Sequence, residues 1–279
     1  IRNSSENNQS RADRRQTMEE KKAAEKTYRA KAALPLTYDN YVFDLYGTLV
    51  DICTHEDDPV LWQKLALFYG YYDALYEPEE LKEAYARLVS GREAAMKKQL
   101  GNDAKYAHEA SPEIELTEVF RELFTLKGGP ADTDLAVHAG QFFRVLSTDY
   151  VRTYPGTRTM LQGLKEEGKK IYLLSNAQRI FTAYEMHVLD IADYFDGILI
   201  SSDYQTRKPD PRFFEQLFIR FGLKAEKTLF VGNDSHSDIA GARTVGFDTF
   251  YICSNISPQG DSAPEATYSV DDFGEWTRG

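Results

Sequence analysis

The chain has 279 residues, with 33 basic against 44 acidic side chains and a formal net charge of −11. That length suggests two domains at about 150 residues each, and 42% hydrophobic with 13% aromatic residues is enough for a buried core, which excludes wholesale disorder. The acidic balance argues against a nucleic-acid partner, and no run reaches the ~18 to 20 apolar residues that span a bilayer, so no membrane role is expected.

Residues 1–35 stand apart, with nine basic and five acidic side chains. Through Gln16 the sequence is rich in Asn, Ser and Arg without apolar periodicity, and the run from Thr17 has the character of a polar helix. This stretch is expected to be a disordered or helical extension ahead of the fold, with Met18 as an alternative start. Arg14-Arg15 does not make a twin-arginine signal, because no apolar segment follows.

From Tyr41 to Tyr46 a short apolar run ends in a single carboxylate, Asp44, followed by Gly47, as in a buried strand of a parallel sheet. Similar runs lie at residues 171–175, 197–201, 228–231 and 249–253, with a weaker one at 267–270. Helical patterns at 158–167, 177–189, 211–221 and 238–245 separate them. Strand and helix alternating over short connections predict a doubly wound α/β sheet of the Rossmann-like kind. Residues 56–149 break that rhythm. Apolar spacings of three and four recur around Leu61, Leu81, Leu116 and Leu135, predicting four amphipathic helices. The organisation expected is therefore a core of residues 36–55 and 150–279 with a helical cap, 56–149, inserted between. Trp62, Phe68, Tyr69, Tyr71, Tyr72 and Tyr76 read mainly as cap core.

Ligands in such sheets bind beyond the carboxyl ends of the strands. Asp44 stands at the first of these ends and Ser175-Asn176 at the second. Lys208 stands just ahead of the helical pattern at 211–221, and the loop Gly232-Asn233-Asp234, with Asp238 beyond it, follows the strand at 228–231. Each alone has a plain structural explanation as a turn former, helix cap or solvated lysine. Together they place a nucleophilic carboxylate, a hydroxyl, a lysine and an oxygen-rich loop on one rim, a set suited to Mg²⁺ and to phosphoryl oxygens. Cys53 and Cys253 form neither a disulfide framework nor a metal-ligand spacing, as suits a reducing, cytoplasmic setting. His236 and the basic residues Arg87, Arg92 and Lys97 read as solvated.

The segments VFDLYGTLVD (42–51), YPGTRTMLQGLKEEGKKIYLLSN (154–176), RKPDPRFF (207–214) and LFVGNDSHSDIAGARTVGF (229–247) resemble the haloacid dehalogenase-like hydrolase superfamily, in its helical-cap branch. The resemblance implies a Mg²⁺-dependent phosphatase that acts on a small phosphorylated molecule. Asp44 would form an aspartyl-phosphate, Thr48 would fix the loop behind it, Ser175 and Asn176 would face the substrate, and Lys208 would neutralise charge. Mg²⁺ would be held by Asp44, the Tyr46 carbonyl and the loop of Asn233, Asp234 and Asp238, with either Asn233 or Asp234 as ligand. Tyr46 departs from the phosphatases, which place a second Asp there as general acid/base. The 2-haloacid dehalogenases also carry Tyr, but they lack the metal and have Tyr where this chain has Phe214. A metal-independent dehalogenase and a weakly active or non-catalytic binding protein remain the alternatives. Substrate identity and oligomeric state are not legible.

Overall fold

The computed structural model describes residues 30–100 and 111–278. The expectations for residues 1–29, including the alternative start, lie outside them, as do residues 101–103, whose Gly-Asn-Asp sequence reads as a loop between cap helices. In chain order the elements are β1 (Ala30–Ala32), β2 (Asn40–Phe43), β3 (Val50–Thr54), α1 (Pro59–Gly70), α2 (Pro78–Leu100), α3 (Leu116–Thr125), α4 (Thr133–Ser147) and β4 (Thr148–Thr153). There follow α5 (Thr157–Glu166), β5 (Lys170–Ser175), α6 (Arg179–Val188), β6 (Gly197–Ile200), α7 (Pro211–Phe221), β7 (Thr228–Gly232), a π-helical turn (Ser235–Ala240), α8 (Gly241–Thr244), β8 (Asp248–Ile252), β9 (Tyr268–Val270) and β10 (Phe273–Trp276).

Six strands form one parallel sheet in the order β6-β5-β2-β7-β8-β9. Successive side chains of a strand point to opposite faces, and the core divides accordingly. Tyr41, Phe43, Ile171, Leu173, Leu229 and Val231 pack on one face with Met160, Leu161 and Leu164 of α5. Val42, Leu174 and Phe230 pack on the other with Phe213, Phe214 and Leu217 of α7. Helices on both faces bury most of the central strands β2, β5, β7 and β8, which is why their sequences are largely continuous apolar runs. The chain runs from β2 outward through β5 and β6, then returns to β7 on the other side of β2. The carboxyl ends of β2 and β7 therefore lie at the topological switch point, where ligands of open α/β sheets bind.

Helices α1–α4 lie between β3 and β4 and pack around their own apolar cluster, which includes Trp62, Tyr69, Phe120, Phe124 and Phe143. Asp58 caps α1 through the Val60 N–H at 2.9 Å, with Pro59 in the first turn, and Asp132 caps α4 through the Leu135 N–H at 2.7 Å. Of the aromatic series, Trp62 and Tyr69 are buried while Tyr71 is exposed.

Three features depart from the sequence reading. Residues 30–35 belong to the fold: β1 pairs with β10 in parallel, and Ala32 and Leu34 are buried. β3 and β4 form an antiparallel two-strand ribbon that carries the chain into and out of the four helices. The helix expected from Asp238 begins earlier, as the π-helical turn capped by Asp234.

Candidate active site

Asp44 directly follows β2, and its backbone N–H donates to the Val231 carbonyl of β7 at 2.9 Å. Its side chain is buried, and a buried carboxylate needs a partner. Lys208 supplies it: Nζ lies 2.7 Å from Asp44 Oδ1 and 2.6 Å from Asp238 Oδ1. Burial works against the Lys208 ammonium, but the Asp238 and Asp44 carboxylates more than offset it and raise the lysine above its ordinary value. Burial pushes the Asp238 carboxyl up to about 7, against the pull of Lys208. One ammonium is thus shared by two buried carboxylates.

Asn176 delivers that lysine. Its Oδ1 accepts the Lys208 N–H at 2.8 Å and its Nδ2 donates to the Lys208 carbonyl at 3.0 Å. Asn176 therefore spends its side chain on backbone and positions Lys208. Ser175, the last residue of β5, is fully buried, and its Oγ has no hydrogen-bond partner among the described residues. Leaving a buried hydroxyl unpaired costs about 1–3 kcal/mol.

The loop after β7 closes on the loop after β2. Gly47 has φ +86°, and a Cβ there would sit 2.2 Å from Asn233 Nδ2, so only glycine fits. Thr48 Oγ1 donates to Asn233 Oδ1 at 3.4 Å, and the Thr48 carbonyl accepts from Trp276 Nε1 at 3.0 Å. Asp234 Oδ1 accepts the N–H groups of His236 and Ser237 at 2.9 and 2.8 Å. Asp238 Oδ2 accepts those of Asn233 and Asp234 at 3.0 and 3.1 Å. Asp238 thus commits both oxygens to protein donors and Asp234 commits Oδ1, while the Asn233 oxygen takes one long contact. His236 is exposed.

Tyr46 is engaged elsewhere. Its hydroxyl donates to Glu185 Oε2 at 2.5 Å and lies 3.1 Å from Thr182 Oγ1, both on α6. Arg144 of α4 donates from Nε to Glu185 Oε1 at 2.7 Å, and its guanidinium lies 5.6 Å from the centre of the Tyr46 ring. Burial, reinforced by Glu185, raises the phenol well above its usual value. A cleft of about 360 Å³ opens beside this cluster, walled by Arg144, Phe181 and Glu185 among others, with Asp44 outside its lining.

Sequence reading missed Glu185, Arg144 and Glu113. Glu185 lies four residues after Phe181 and three after Thr182, on the buried face of α6; a carboxylate at a core-facing position was the available signal. Glu113 is buried, accepts from Ser201 Oγ at 2.9 Å and Gln178 Nε2 at 3.0 Å, and has its carboxyl raised by burial. Next to it, Ser111 accepts the Arg207 N–H at 2.9 Å, so the segment leading into α3 docks on the loop that carries Lys208. Asp51 accepts from Arg152 Nε and Asn255 Nδ2, both at 2.8 Å, which gives it a structural role at the ribbon.

The family model for haloacid dehalogenase-like hydrolases matches residues 38–246. A glyceraldehyde 3-phosphate phosphatase of Pyrococcus furiosus is 32% identical over 103 residues, covering 37% of this chain and 43% of that one. The chain thus spans less than half the length of that relative. A pyrimidine 5'-nucleotidase of Streptococcus pneumoniae is 27% identical over 215 residues, covering 77% of this chain and 83% of its own. Among solved structures, a 2-haloacid dehalogenase of Pseudomonas syringae superposes with a TM-score of 0.54 at 19% identity, covering 84% of this chain and 94% of that one. Similarity at that level speaks to the fold alone.

Proposed function

The chain belongs to the haloacid dehalogenase-like hydrolase family, and from that premise we propose that it is a phosphatase acting on a small phosphorylated molecule through an aspartyl-phosphate at Asp44. The observation that carries this reading is the unpartnered, buried Ser175 hydroxyl on the same rim as the Asp44–Lys208–Asp238 cluster. A phosphoryl oxygen is the acceptor such a hydroxyl lacks.

The oxygen donors present fit Mg²⁺, a hard cation that needs only one or two carboxylates besides phosphate and water. Asp44, the Tyr46 carbonyl and Asn233 Oδ1 or Asp234 Oδ2 would hold it, since Asp238 gives one oxygen to backbone donors and the other to Lys208, whereas the backbone donors on Asp234 take only Oδ1. Bound there, it would neutralise charge on the phosphoryl oxygens. Asp44 attacks phosphorus as the P–O bond to the ester oxygen breaks, the departing oxygen takes a proton from solvent, and water then hydrolyses the acyl phosphate to phosphate and the free Asp44 carboxylate. Lys208 balances the charge that builds on the transferring group, and Ser175 orients it. Asn176 fixes the Lys208 backbone, while Asp238 holds both the ammonium and the loop. Helices α1–α4 act as the cap that limits water access and selects the substrate.

The experiment is a panel of phosphomonoesters and 2-haloacids, assayed with Mg²⁺ and with EDTA. Phosphate release should require Mg²⁺ and fall at least about 10³-fold in Asp44→Asn, which keeps the shape and loses the nucleophile. Undiminished phosphate release in that variant rules out Asp44 as nucleophile. The position of Tyr46, with its phenol turned to α6, favours a second reading, a 2-haloacid dehalogenase whose halide leaves without a proton. Halide release insensitive to EDTA would establish that reading instead.

A further inference from the structure

The β3–β4 ribbon gathers three side chains that the proposed phosphatase chemistry does not use. Cys53 and His55 are two residues apart, so an extended chain presents them on one face. Opposite them the register shifts: Cys53 pairs with Tyr150 and Thr54 with Thr148, leaving Asp149 as the extra residue of a bulge. Bulges re-aim a side chain, and this one brings the carboxylate to the thiol and the imidazole. His55 Nε2 lies 2.9 Å from Asp149 Oδ2, and Cys53 Sγ lies 3.6 Å from Nε2 and 4.0 Å from Oδ2. These three ligand atoms all fall within 4.8 Å of one another.

We propose that Cys53, His55 and Asp149 form a binding site for a thiophilic divalent cation of the zinc class, bridging the strand that enters the inserted helices and the strand that leaves them. Tetrahedral Zn²⁺, with bonds of about 2.3 Å to sulfur and about 2.0–2.1 Å to nitrogen and oxygen, sets edges of roughly 3.6 Å between sulfur and either light atom and roughly 3.3 Å between nitrogen and oxygen. The observed triangle needs shifts of less than half an ångström to meet these edges, as roughly estimated from those bond lengths. A nucleophilic relay would need the thiol on one imidazole nitrogen and the carboxylate on the other. Here both face Nε2, the arrangement of ligands around a shared ion. Thiolate, carboxylate and neutral imidazole exactly cancel the charge of a divalent cation, the thiol proton passing to solvent. His55 and Asp149 are each 43% exposed, which leaves the fourth position to water. The soft sulfur ligand separates this site from the all-oxygen set around Asp44.

The test uses the full chain, stripped of metal and titrated with Co²⁺ in excess Mg²⁺, which competes for the proposed all-oxygen site at Asp44. The expected result is one equivalent bound per chain with a thiolate-to-cobalt charge-transfer band and the visible absorption of a tetrahedral ion, both lost on addition of Zn²⁺. Cys53→Ser should abolish the charge-transfer band. Asp149→Asn should weaken binding by more than the roughly 10- to 100-fold that losing a supporting hydrogen bond costs at such centres. Cys253→Ser and Asp44→Asn should leave the spectrum unchanged, the second separating this result from the fate of the proposed phosphatase site. Circular dichroism of each metal-free variant checks folding, and His55→Asn provides an independent ligand deletion. A band that persists in Cys53→Ser, or binding without any charge-transfer band, overturns the assignment.

Discussion

At position 46 a phenol stands where the phosphatase pattern calls for a carboxylate, and the structure shows what it does instead. Its hydroxyl is saturated by Glu185 and Thr182, and burial with Glu185 nearby raises its pKa. Such a group neither accepts nor readily releases a proton near neutrality. Tyr46→Phe should accordingly change kcat on an alkyl phosphate less than about 10-fold, against the 10²- to 10⁴-fold typical of a lost general acid. Steady-state rates on matched alkyl and aryl phosphates make the comparison, and Tyr46→Asp should raise the alkyl rate relative to the aryl rate. A fall of 10²-fold or more in Tyr46→Phe, on alkyl substrates only, would assign proton donation to the phenol. The sequence exposed the substitution itself, because Asp44 and Tyr46 sit in one short motif. It could not expose the partner: Glu185 is 139 positions away, and only the sheet brings α6 beside the β2 loop.

Among elements, the strands buried on both faces were legible and the ribbon was not. β2, β5, β7 and β8 carry unbroken apolar runs because helices cover both sides of them. β3 and β4, Val-Asp-Ile-Cys-Thr and Thr-Asp-Tyr-Val-Arg-Thr, carry charge and lack clean alternation. Across the strands Asp51 meets Arg152, a partner 101 positions away. The bulge at Asp149 likewise has no signature in one strand read alone, so neither cysteine showed a metal-ligand spacing. The amino ends of β5 and β6 are joined by Asp196, which accepts from the Ile171 N–H at 3.0 Å and from Lys165 and Lys170 at 2.9 Å each. Burial opposes its charge, but these three donors hold the carboxyl at about 2. A carboxyl lowered on folding stabilises the protein above its unfolded value near 3.9, and that contribution is lost as pH falls through about 2. Asp196→Asn should therefore cost about 1–2 kcal/mol in urea unfolding at pH 7, allowing for solvent screening, and nothing below about pH 2. A constant difference across that range would mean that shape, and not charge, sets the effect.

Across the whole molecule, the inserted helices meet the sheet core at a few polar points, among them Arg144 of α4 on Glu185 of α6, with Tyr46 completing the set. An ion pair removed from water is a poor source of net stability, yet deleting one partner strands the other. Arg144→Met and Glu185→Met should each destabilise the fold by about 2–4 kcal/mol, while the double variant should recover most of that loss, because two apolar side chains of similar volume replace the pair without leaving a buried charge. Equilibrium unfolding of the four proteins closes the cycle. The double variant, close to the parent in stability, then isolates function. Glu185 also binds the phenol of the residue two places after Asp44, so the pair links the seat of the helices to the loop that carries the nucleophile. If that link sets how the helices close over Asp44, the double variant, though close to the parent in stability, should lose at least about 10-fold in kcat/KM, since catalysis depends on holding reacting groups in near-attack geometry. Parent-like kcat/KM in a parent-like fold would reduce the Arg144–Glu185–Tyr46 cluster to a packing device and place control of closure at the Glu113 and Ser111 contacts with the Lys208 loop.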